Sequence, residues 1–260
     1  MISRFRSLII PGVDKKLLVK DAAKLMPDLS RRRFIASGAS LGALTLLTGC
    51  DVSDSLSADK MLAQISKFND AVQAAIFNPN ALAPTYSEKD IKRPFPFNGF
   101  YSEDEAPEID GNDWKLEVSG LVQNKKSWTL AELHKLPEVS QITRHICVEG
   151  WSAIGSWQGT PLRDFLTLVG ADTKAKYVWF RCAEDYTSPL DMPTALHPQT
   201  QMTFKFDNKI LPRAYGFPMK IRVPTKLGFK NPKYVVSMEV TNDYKGGYWE
   251  DMGYNSFSGS

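Results

Sequence analysis

The hydrophobic and polar positions after residue 110 alternate in a way that predicts several β-strands. Trp114-Lys115-Leu116-Glu117-Val118 puts apolar and polar side chains on opposite faces, and Gly120 ends the pattern. Residues 141–148 alternate in the same way as far as Cys147. Further strands are predicted at residues 177–182, at 202–206 before an Asp207-Asn208-Lys209 turn, at 219–223 and at 234–240.

Helical patterns are short and few. Apolar positions between residues 61 and 68 predict an amphipathic helix that reaches about residue 76. Thr129, followed by Glu132, has the capping-box pattern and predicts the start of a short helix. Residues 161–169 have helical spacing, and Gly170 suits a C-terminal cap. Many strands with a few short helices, in irregular order, predict an α+β domain.

The beginning of the chain has a different composition. Arg31-Arg32-Arg33-Phe34 precedes a mostly apolar, uncharged run over residues 35–48, which ends at Gly49 and Cys50. A basic region, an apolar region and a small-residue processing site together are typical of a bacterial export signal. The arginines resemble a twin-arginine signal, and Leu47-Thr48-Gly49-Cys50 resembles a lipobox. A single anchor helix or a buried apolar helix near residue 40 is the alternative.

This pattern predicts three regions. Residues 1–50 are the signal region with Cys50 as the lipidation site, residues 51–93 a tether, helix and proline-rich arm, and residues 94–256 the folded domain. The resemblance implies export to the periplasm and a lipid anchor at the inner membrane.

Charge and cysteine content narrow the function classes. The net charge of +3 gives no concentrated basic surface, so nucleic acid is not an expected partner. Besides Cys50, the chain contains Cys147 and Cys182. In an oxidising compartment two remaining cysteines suggest a disulfide.

Cys147 lies in an unusual local sequence. Arg144 and His145 precede it, and Glu149 and Gly150 follow it. Cationic neighbours lower the pKa of a thiol, and glycine allows a turn that other residues resist. Taken alone, the residue can be a buried filler, half of a disulfide or a metal ligand.

A longer stretch supports the metal ligand. Cys147-Val148-Glu149-Gly150-Trp151-Ser152, followed by Trp157-Gln158-Gly159-Thr160-Pro161-Leu162, resembles the molybdenum-binding segment of the sulfite oxidase family. The stretch is most similar to the bacterial branch that contains the periplasmic protein-methionine-sulfoxide reductases. The resemblance implies that Cys147 is the protein ligand of molybdenum, whose other ligands include the dithiolene of molybdopterin. It also implies the sulfite-oxidase fold, with mixed sheets and short helices.

Three further segments extend the resemblance over residues 94–254. Asn98-Gly99-Phe100-Tyr101 is similar to an early pterin-contacting loop, and residues 175–180 are similar to a strand that leads to another pterin contact. Residues 216–224 and 227–233 resemble the segment that binds the pterin phosphate. The cofactor-binding residues implied by these matches are Asn98, Tyr101, Ser102, Cys182, Lys220, Lys230, Asn231 and Lys233. Trp249, Gly253 and Tyr254 resemble a structural tail.

The resemblance implies a molybdenum cofactor-dependent oxidoreductase that transfers an oxygen atom, as in the reduction of an S-oxide or N-oxide on a small molecule or a protein. Arg144 and His145 are the further catalytic candidates, because they lie next to Cys147. The chain contains no Cys-x-x-Cys-His haem motif, so a membrane haem protein or a cytochrome is the expected electron partner. Sulfite oxidation is one alternative. A non-catalytic periplasmic binding lipoprotein, with a disulfide between Cys147 and Cys182, is another.

Overall fold

Two β-sheets make up most of the part of the chain that the computed structural model describes, which is residues 55–99 and 101–259. The predicted signal region and Cys50 lie outside the described residues. Residues Lys60–Ser260 form one compact unit. The strands are β1 (Lys115–Gly120), β2 (Ser127–Thr129), β3 (Val139–Ile146), β4 (Ser152–Pro161), β5 (Tyr177–Cys182), β6 (Thr187–Asp191), β7 (Gln201–Phe206), β8 (Lys209–Ile210), β9 (Lys220–Arg222) and β10 (Val235–Thr241).

The helices are short, apart from the first one. They are α1 (Ser55–Ile76), α2 (Leu130–Leu133), α3 (Leu162–Leu168), α4 (Met192–Ala195) and α5 (Tyr248–Asp251), with 3-10 turns at Glu88–Asp90, Glu103–Glu105, Arg213–Tyr215 and Gly228–Lys230. Thr129 caps α2 as its sequence predicts, because its side chain accepts a hydrogen bond from the Glu132 N–H. None of the helices in the described residues is long and apolar enough to cross a membrane.

The first sheet has the strand order β2-β1-β10-β5-β6. Strands β1 and β10 are parallel, with Glu117 opposite Ser237, whereas the other pairs are antiparallel. Alternate side chains of β1 and β5 are buried in the main core, among them Leu116, Val178 and Phe180. The alternation in the sequence therefore corresponds to one face of this sheet that packs on the core.

The second sheet has the order β3-β4-β7-β8, and β9 also pairs with β7. A register shift between Gln158 and Gly159 interrupts the pairing of β4 with β7. A smaller cluster that includes Phe95, Trp157 and Phe206 packs at this sheet. Aromatic edge-to-face contacts hold the cluster together, since the Phe95 ring lies 5.4 Å from Trp157 and 5.3 Å from Phe206.

The segment that precedes the sheets is bound to the rest of the unit by polar contacts. Asp70 of α1 accepts hydrogen bonds from the N–H groups of Ser256 and Phe257, at 2.9 and 2.8 Å. The Tyr86 N–H donates to the Ile142 carbonyl of β3 at 3.0 Å, after the helix has ended. The arm that the prolines predict therefore follows the edge of the second sheet.

The α+β class and the mixed sheets are confirmed, and the predicted strands lie within one or two residues of the observed ones. One boundary matters for function. Strand β3 ends at Ile146 rather than continuing through residue 148, because a turn begins at Cys147.

Candidate active site

A cavity of about 220 Å³ opens beside Cys147. Five separate parts of the chain contribute to its wall: the loop between the Glu88–Asp90 and Glu103–Glu105 turns, the turn after β3, the loop after β5, the segment before β10 and the C-terminal region. The lining residues are Asn98, Gly99, Tyr101, Cys147, Val148, Glu149, Glu184, Tyr186, Gly228, Phe229, Asn231, Pro232, Lys233, Trp249 and Tyr254.

Cys147 begins a tight turn at the end of β3. Its N–H donates to the Trp151 carbonyl at 2.9 Å, and its own carbonyl accepts from the Gly150 N–H at 3.2 Å. Gly150 has a φ of 90°, which strongly favours glycine. The half-buried thiol of this turn lies in the cavity wall.

The charge next to the thiol is the opposite of the one expected. The Glu149 carboxylate lies 3.7 Å from Cys147 Sγ and also accepts a 2.9 Å hydrogen bond from the Trp151 indole. Burial and this carboxylate both raise the pKa of the Cys147 thiol. The prediction that cationic neighbours lower the pKa of the Cys147 thiol is therefore wrong for the protein without a metal. A coordinated metal ion, by contrast, deprotonates a thiol outright.

Asn98 and Tyr101 line the cavity as the resemblance implies. Asn98 Oδ1 is buried and has no hydrogen-bond partner among the described residues, and the Tyr101 hydroxyl donates to the Glu184 carboxylate. Ser102 instead lies outside the cavity wall. Its hydroxyl donates to Glu105 at 2.7 Å and begins the Glu103–Glu105 turn.

Cys182 also lies outside the cavity wall. Its side chain is only 2% exposed and packs in the main hydrophobic core, and burial raises its pKa well above the usual value. The neighbouring Arg181 faces the surface, as alternation along β5 predicts. Cys147 and Cys182 are both free thiols, and Cys147 shares a cavity with Lys233, as expected for the enzyme.

Of the lysines that the resemblance assigns to the cofactor, Lys233 lies in the cavity wall and Lys230 lies behind it. Lys233 lines the cavity, and its Nζ donates to the carbonyls of Asn98 at 2.9 Å and Ala214 at 3.2 Å. Lys230 is buried behind the wall, where it donates to the Glu250 carboxylate and to the Pro189 carbonyl. Its charge is therefore already compensated by an acidic partner.

Lys220 is fully buried on β9, together with Arg222. The Arg222 guanidinium donates to Asn231 Oδ1 at 2.8 Å and to the Arg144 carbonyl at 2.6 Å. It also donates to Thr143 Oγ1 at 3.2 Å, and all three acceptors are neutral. Burial lowers the pKa of Lys220, and the positive charges of Lys233 and Arg222 lower it further.

His145 is 1% exposed, and neither ring nitrogen has a hydrogen-bond partner among the described residues. Burial lowers its pKa well below 6.5, and the charges of Lys220, Arg222 and Lys233 act in the same direction. Gly228, which lines the cavity, lies against this ring: a Cβ there would come within 2.7 Å of Nε2. His145 therefore lies behind the cavity wall, and its predicted catalytic role stays a prediction.

Arg144 lies on the other face of β3. Its side chain is exposed, and its guanidinium lies 5.2 Å from the centre of the Tyr86 ring. It lines two other surface cavities rather than the one at Cys147. The structure therefore does not bring Arg144 together with the thiol, because adjacent strand residues point in opposite directions.

Glu184, Arg222 and Phe229 were missed by the sequence reasoning. Glu184 lines the cavity from the loop after β5, and Phe229 lines it from within the 227–233 segment, where only Lys230, Asn231 and Lys233 had been given a role. Arg222 is buried on β9 with Lys220. Arg222 is two residues from Lys220 on the same predicted strand, and this shared face was the available signal for it. No local sequence pattern singles out Glu184, in the loop after Cys182.

These residues fit molybdopterin. A thiol at the cavity is a soft ligand suited to molybdenum, and Lys233, Lys220 and Arg222 form a cationic cluster that favours a phosphate. The buried, unpartnered atoms of Asn98 and His145 are further groups that a polar ligand could satisfy. The described residues contain no group of three or more His, Cys, Asp or Glu side chains that could hold a metal ion.

Comparison with known proteins identifies the family. Residues 103–249 match the family described as the oxidoreductase molybdopterin binding domain. A protein of Azospira oryzae, provisionally named as protein-methionine-sulfoxide reductase subunit YedZ1, is 58% identical over 241 residues, covering 93% of this chain and 92% of that protein.

More distant relatives have the same kind of name. The protein-methionine-sulfoxide reductase catalytic subunits MsrP of Ralstonia nicotianae and Burkholderia mallei are 31% and 30% identical, covering 55% and 71% of this chain. The matches span 48% and 62% of those two proteins.

The sulfane dehydrogenase SoxCD of Paracoccus pantotrophus shares the fold, with a TM-score of 0.50 and 18% identity, covering 53% of this chain and 40% of that one. The sulfite-oxidase type of fold is therefore confirmed. On the strength of the matched domain, this chain belongs to the oxidoreductase molybdopterin-binding family and is an enzyme that uses a molybdenum-molybdopterin cofactor.

Proposed function

We propose that this enzyme reduces methionine sulfoxide, free or within proteins, to methionine. The net reaction takes two electrons and two protons, breaks the sulfur–oxygen bond and releases the oxygen as water. The names of the relatives from Azospira, Ralstonia and Burkholderia support this substrate class. The observation that carries the proposal is the placement of the Cys147 thiol, Lys233 and Asn98 in the wall of one cavity.

The cofactor, when bound, supplies a metal that accepts the oxygen atom and exchanges two electrons. Cys147 would hold the metal through its sulfur. Lys233, with Lys220 and Arg222 behind it, would hold the anionic part of the cofactor by charge. The task of the remaining wall residues is to admit the substrate and supply protons.

The wall suits a thioether and its oxide. Phe229, Trp249 and Tyr254 supply aromatic surface, which makes favourable contacts with sulfur. Val148 and Tyr254 at the wall are 41% and 39% exposed, so the cavity opens to solvent. An opening of this kind can receive a methionine on the surface of another protein.

The Glu184 carboxyl is the proton donor on this wall. Burial raises its pKa, although the hydrogen bond from Tyr101 and the charge of Lys233 act in the opposite direction. A carboxyl that keeps its proton to a higher pH can donate it to the departing oxygen.

The electrons must come from a partner protein, for which we propose a membrane haem protein or a cytochrome. The relatives are named as subunits or catalytic subunits, which supports a partner. We also propose that the chain works in the periplasm, after twin-arginine export and lipid attachment at Cys50. Mass spectrometry of the mature N-terminal peptide checks for the acyl group.

Cys147→Ser tests the assignment. We expect the variant to lose turnover of methionine sulfoxide with a reduced dye as electron donor, because a hydroxyl is a poor replacement for a soft thiolate ligand. Ser140→Ala, at an exposed position of β3, the strand that precedes Cys147, should keep the parent rate. Circular dichroism checks that both variants are folded.

The same preparation should be assayed for sulfite oxidation with a dye acceptor. Full activity of Cys147→Ser would refute the role of the thiol. A sulfite oxidation rate well above the rate of sulfoxide reduction would refute the proposed substrate.

A further inference from the structure

Helix α1 turns its polar side toward the protein and exposes an apolar side, which is the reverse of the usual arrangement. Ser66, Asp70 and Gln73 face the rest of the unit and hydrogen-bond the C-terminal segment. The apolar residues Ile65, Phe68, Val72 and Ile76, spaced three and four apart, lie on another side of the helix. Helices of globular proteins normally bury the apolar stripe and expose the polar one.

This apolar stripe is open to solvent. The four side chains are between 42% and 77% exposed, and Phe68 is 68% exposed. Because exposed apolar surface in a contiguous stripe is unfavourable in water, such a stripe marks a binding surface. Single exposed apolar residues need no such explanation, whereas four on one side of a helix do.

The patch continues beyond the end of the helix. Ile76 and Leu82, which is 62% exposed, both line a second cavity of about 770 Å³. Arg144 lines the same cavity, and its side chain is exposed. The exposed surface thus combines apolar side chains with a cation that could bind a phosphate headgroup.

Charge on the helix favours the same kind of surface. Between Ile65 and Ile76 the charged residues are Lys67 and Asp70. Asp70 is engaged with the Ser256 and Phe257 N–H groups, whereas Lys67 is exposed. The exposed part of the helix therefore presents an apolar stripe and, on another side, a positive charge, as helices that lie in a lipid interface do.

The position of the proposed lipid attachment also points to a membrane. Cys50 lies five residues before Ser55, where α1 begins. A fully extended stretch of this length reaches about 18 Å, so an acyl group on Cys50 would keep the start of α1 close to a bilayer.

We propose that the stripe formed by Ile65, Phe68, Val72 and Ile76 lies in the surface of an anionic lipid bilayer. The inference rests on the proposed attachment at Cys50 for its proximity to the membrane, and it is independent of the substrate. The stripe would add a second membrane contact to the lipid anchor and so strengthen attachment to the bilayer. Arg144, assigned to catalysis from its sequence position, serves this surface by binding lipid phosphate.

Phe68→Trp in the full-length holoenzyme tests this contact directly. The protein is mixed with vesicles of phosphatidylglycerol and phosphatidylcholine, with and without brominated acyl chains, which quench nearby indoles. The emission added by the substitution should be quenched about twofold or more relative to unbrominated vesicles. Ala74→Trp, exposed on α1 outside the stripe, is the matched control and should be quenched much less.

Three results would overturn the proposal. Equal quenching in the two variants would show that the stripe has no special contact with lipid. An introduced indole that is shielded from water in native membranes but not in pure vesicles would indicate a membrane protein as the partner. An indole that becomes shielded from water as the protein concentration rises, without any membrane, would indicate a second copy of the chain.

The other proposals have separate readouts. Mass spectrometry of Cys50 reports on lipid attachment, and dye-linked turnover reports on the reaction. Both tryptophan variants should keep the parent rate of sulfoxide reduction, because neither position lines the active-site cavity.

Discussion

Glu184 and Tyr101 form a carboxyl–phenol pair in the wall of the active-site cavity, and their roles depend on burial. Burial raises the pKa of Tyr101 far above the working range, so the phenol keeps its proton and donates a hydrogen bond to the carboxylate. Burial also raises the pKa of Glu184. Of the two groups, only the carboxyl can change its protonation state under ordinary conditions.

Glu184→Gln should lower kcat for sulfoxide reduction by about 100-fold, the loss expected when a general acid is removed. A donor must carry its proton, so the parent rate should fall as the pH rises through the raised pKa of Glu184. The variant should lose this limb of the pH profile of kcat/KM. Glu184→Asp should restore part of the rate together with the limb, and a Gln variant with the parent profile would exclude Glu184 as the donor.

At the scale of elements, the close approach of two segments shapes the site. The Gly228–Lys230 turn packs against the end of β3, where His145 is buried. A Cβ on Gly228 would lie 2.7 Å from His145 Nε2 and 3.3 Å from the Ile146 carbonyl. The turn can lie this close to the strand only because residue 228 has no side chain.

Gly228→Ala should lower the free energy of unfolding by about 1–3 kcal/mol, the usual effect of overpacking a buried site. Molybdenum content should fall as well, because Gly228 lines the cavity. Gly259→Ala is the control, since the nearest atoms to its added Cβ are 3.5 Å away. Urea unfolding and metal analysis check both effects. Parent-like values for Gly228→Ala would show that the two elements can separate at little cost.

For the whole molecule, several cations are buried in the same region of the sequence. Lys220, Arg222, Lys226 and Lys230 all have fully buried side chains. Lys230 has a carboxylate partner, whereas Lys226 Nζ makes no hydrogen bond within the described residues and lies 3.8 Å from Asp191. The Asp191 carboxylate and the Phe257 ring, over which Lys226 Nζ lies, compensate this charge only in part, so its burial costs stability.

Lys226 links stability to pH. Burial lowers its pKa to about 7, so the folded protein binds fewer protons here than the unfolded chain between pH 7 and the ordinary lysine value of 10.5. The free energy of unfolding therefore rises with pH in this window because of Lys226. Below about pH 7 the penalty for burying the charge is complete.

Lys226→Met should raise the free energy of unfolding by about 1–3 kcal/mol at pH 7, and the gain should shrink as the pH approaches 10.5. Urea unfolding at pH 7 and pH 10 measures the difference. Lys125→Met, at an exposed position, should show no such dependence. A gain that is equal at both pH values would mean that the lysine is charged in the folded state.

The sequence by itself determined six of the ten described strands, the α2 cap, the family and the ligand candidate Cys147, because alternation, capping and motif order are local along the chain. It missed β2, β4, β6 and β8. Its implied cofactor residues Asn98, Tyr101, Asn231 and Lys233 do line the cavity. Only the tertiary structure decided that Arg144 points away and that Glu184 shares a wall with Cys147. These outcomes depend on which strand face is covered and on contacts between distant segments, neither of which local patterning specifies. The same reason applies to α1: its amphipathic pattern predicted a helix, but the fold decided that the polar side would be the one turned inward.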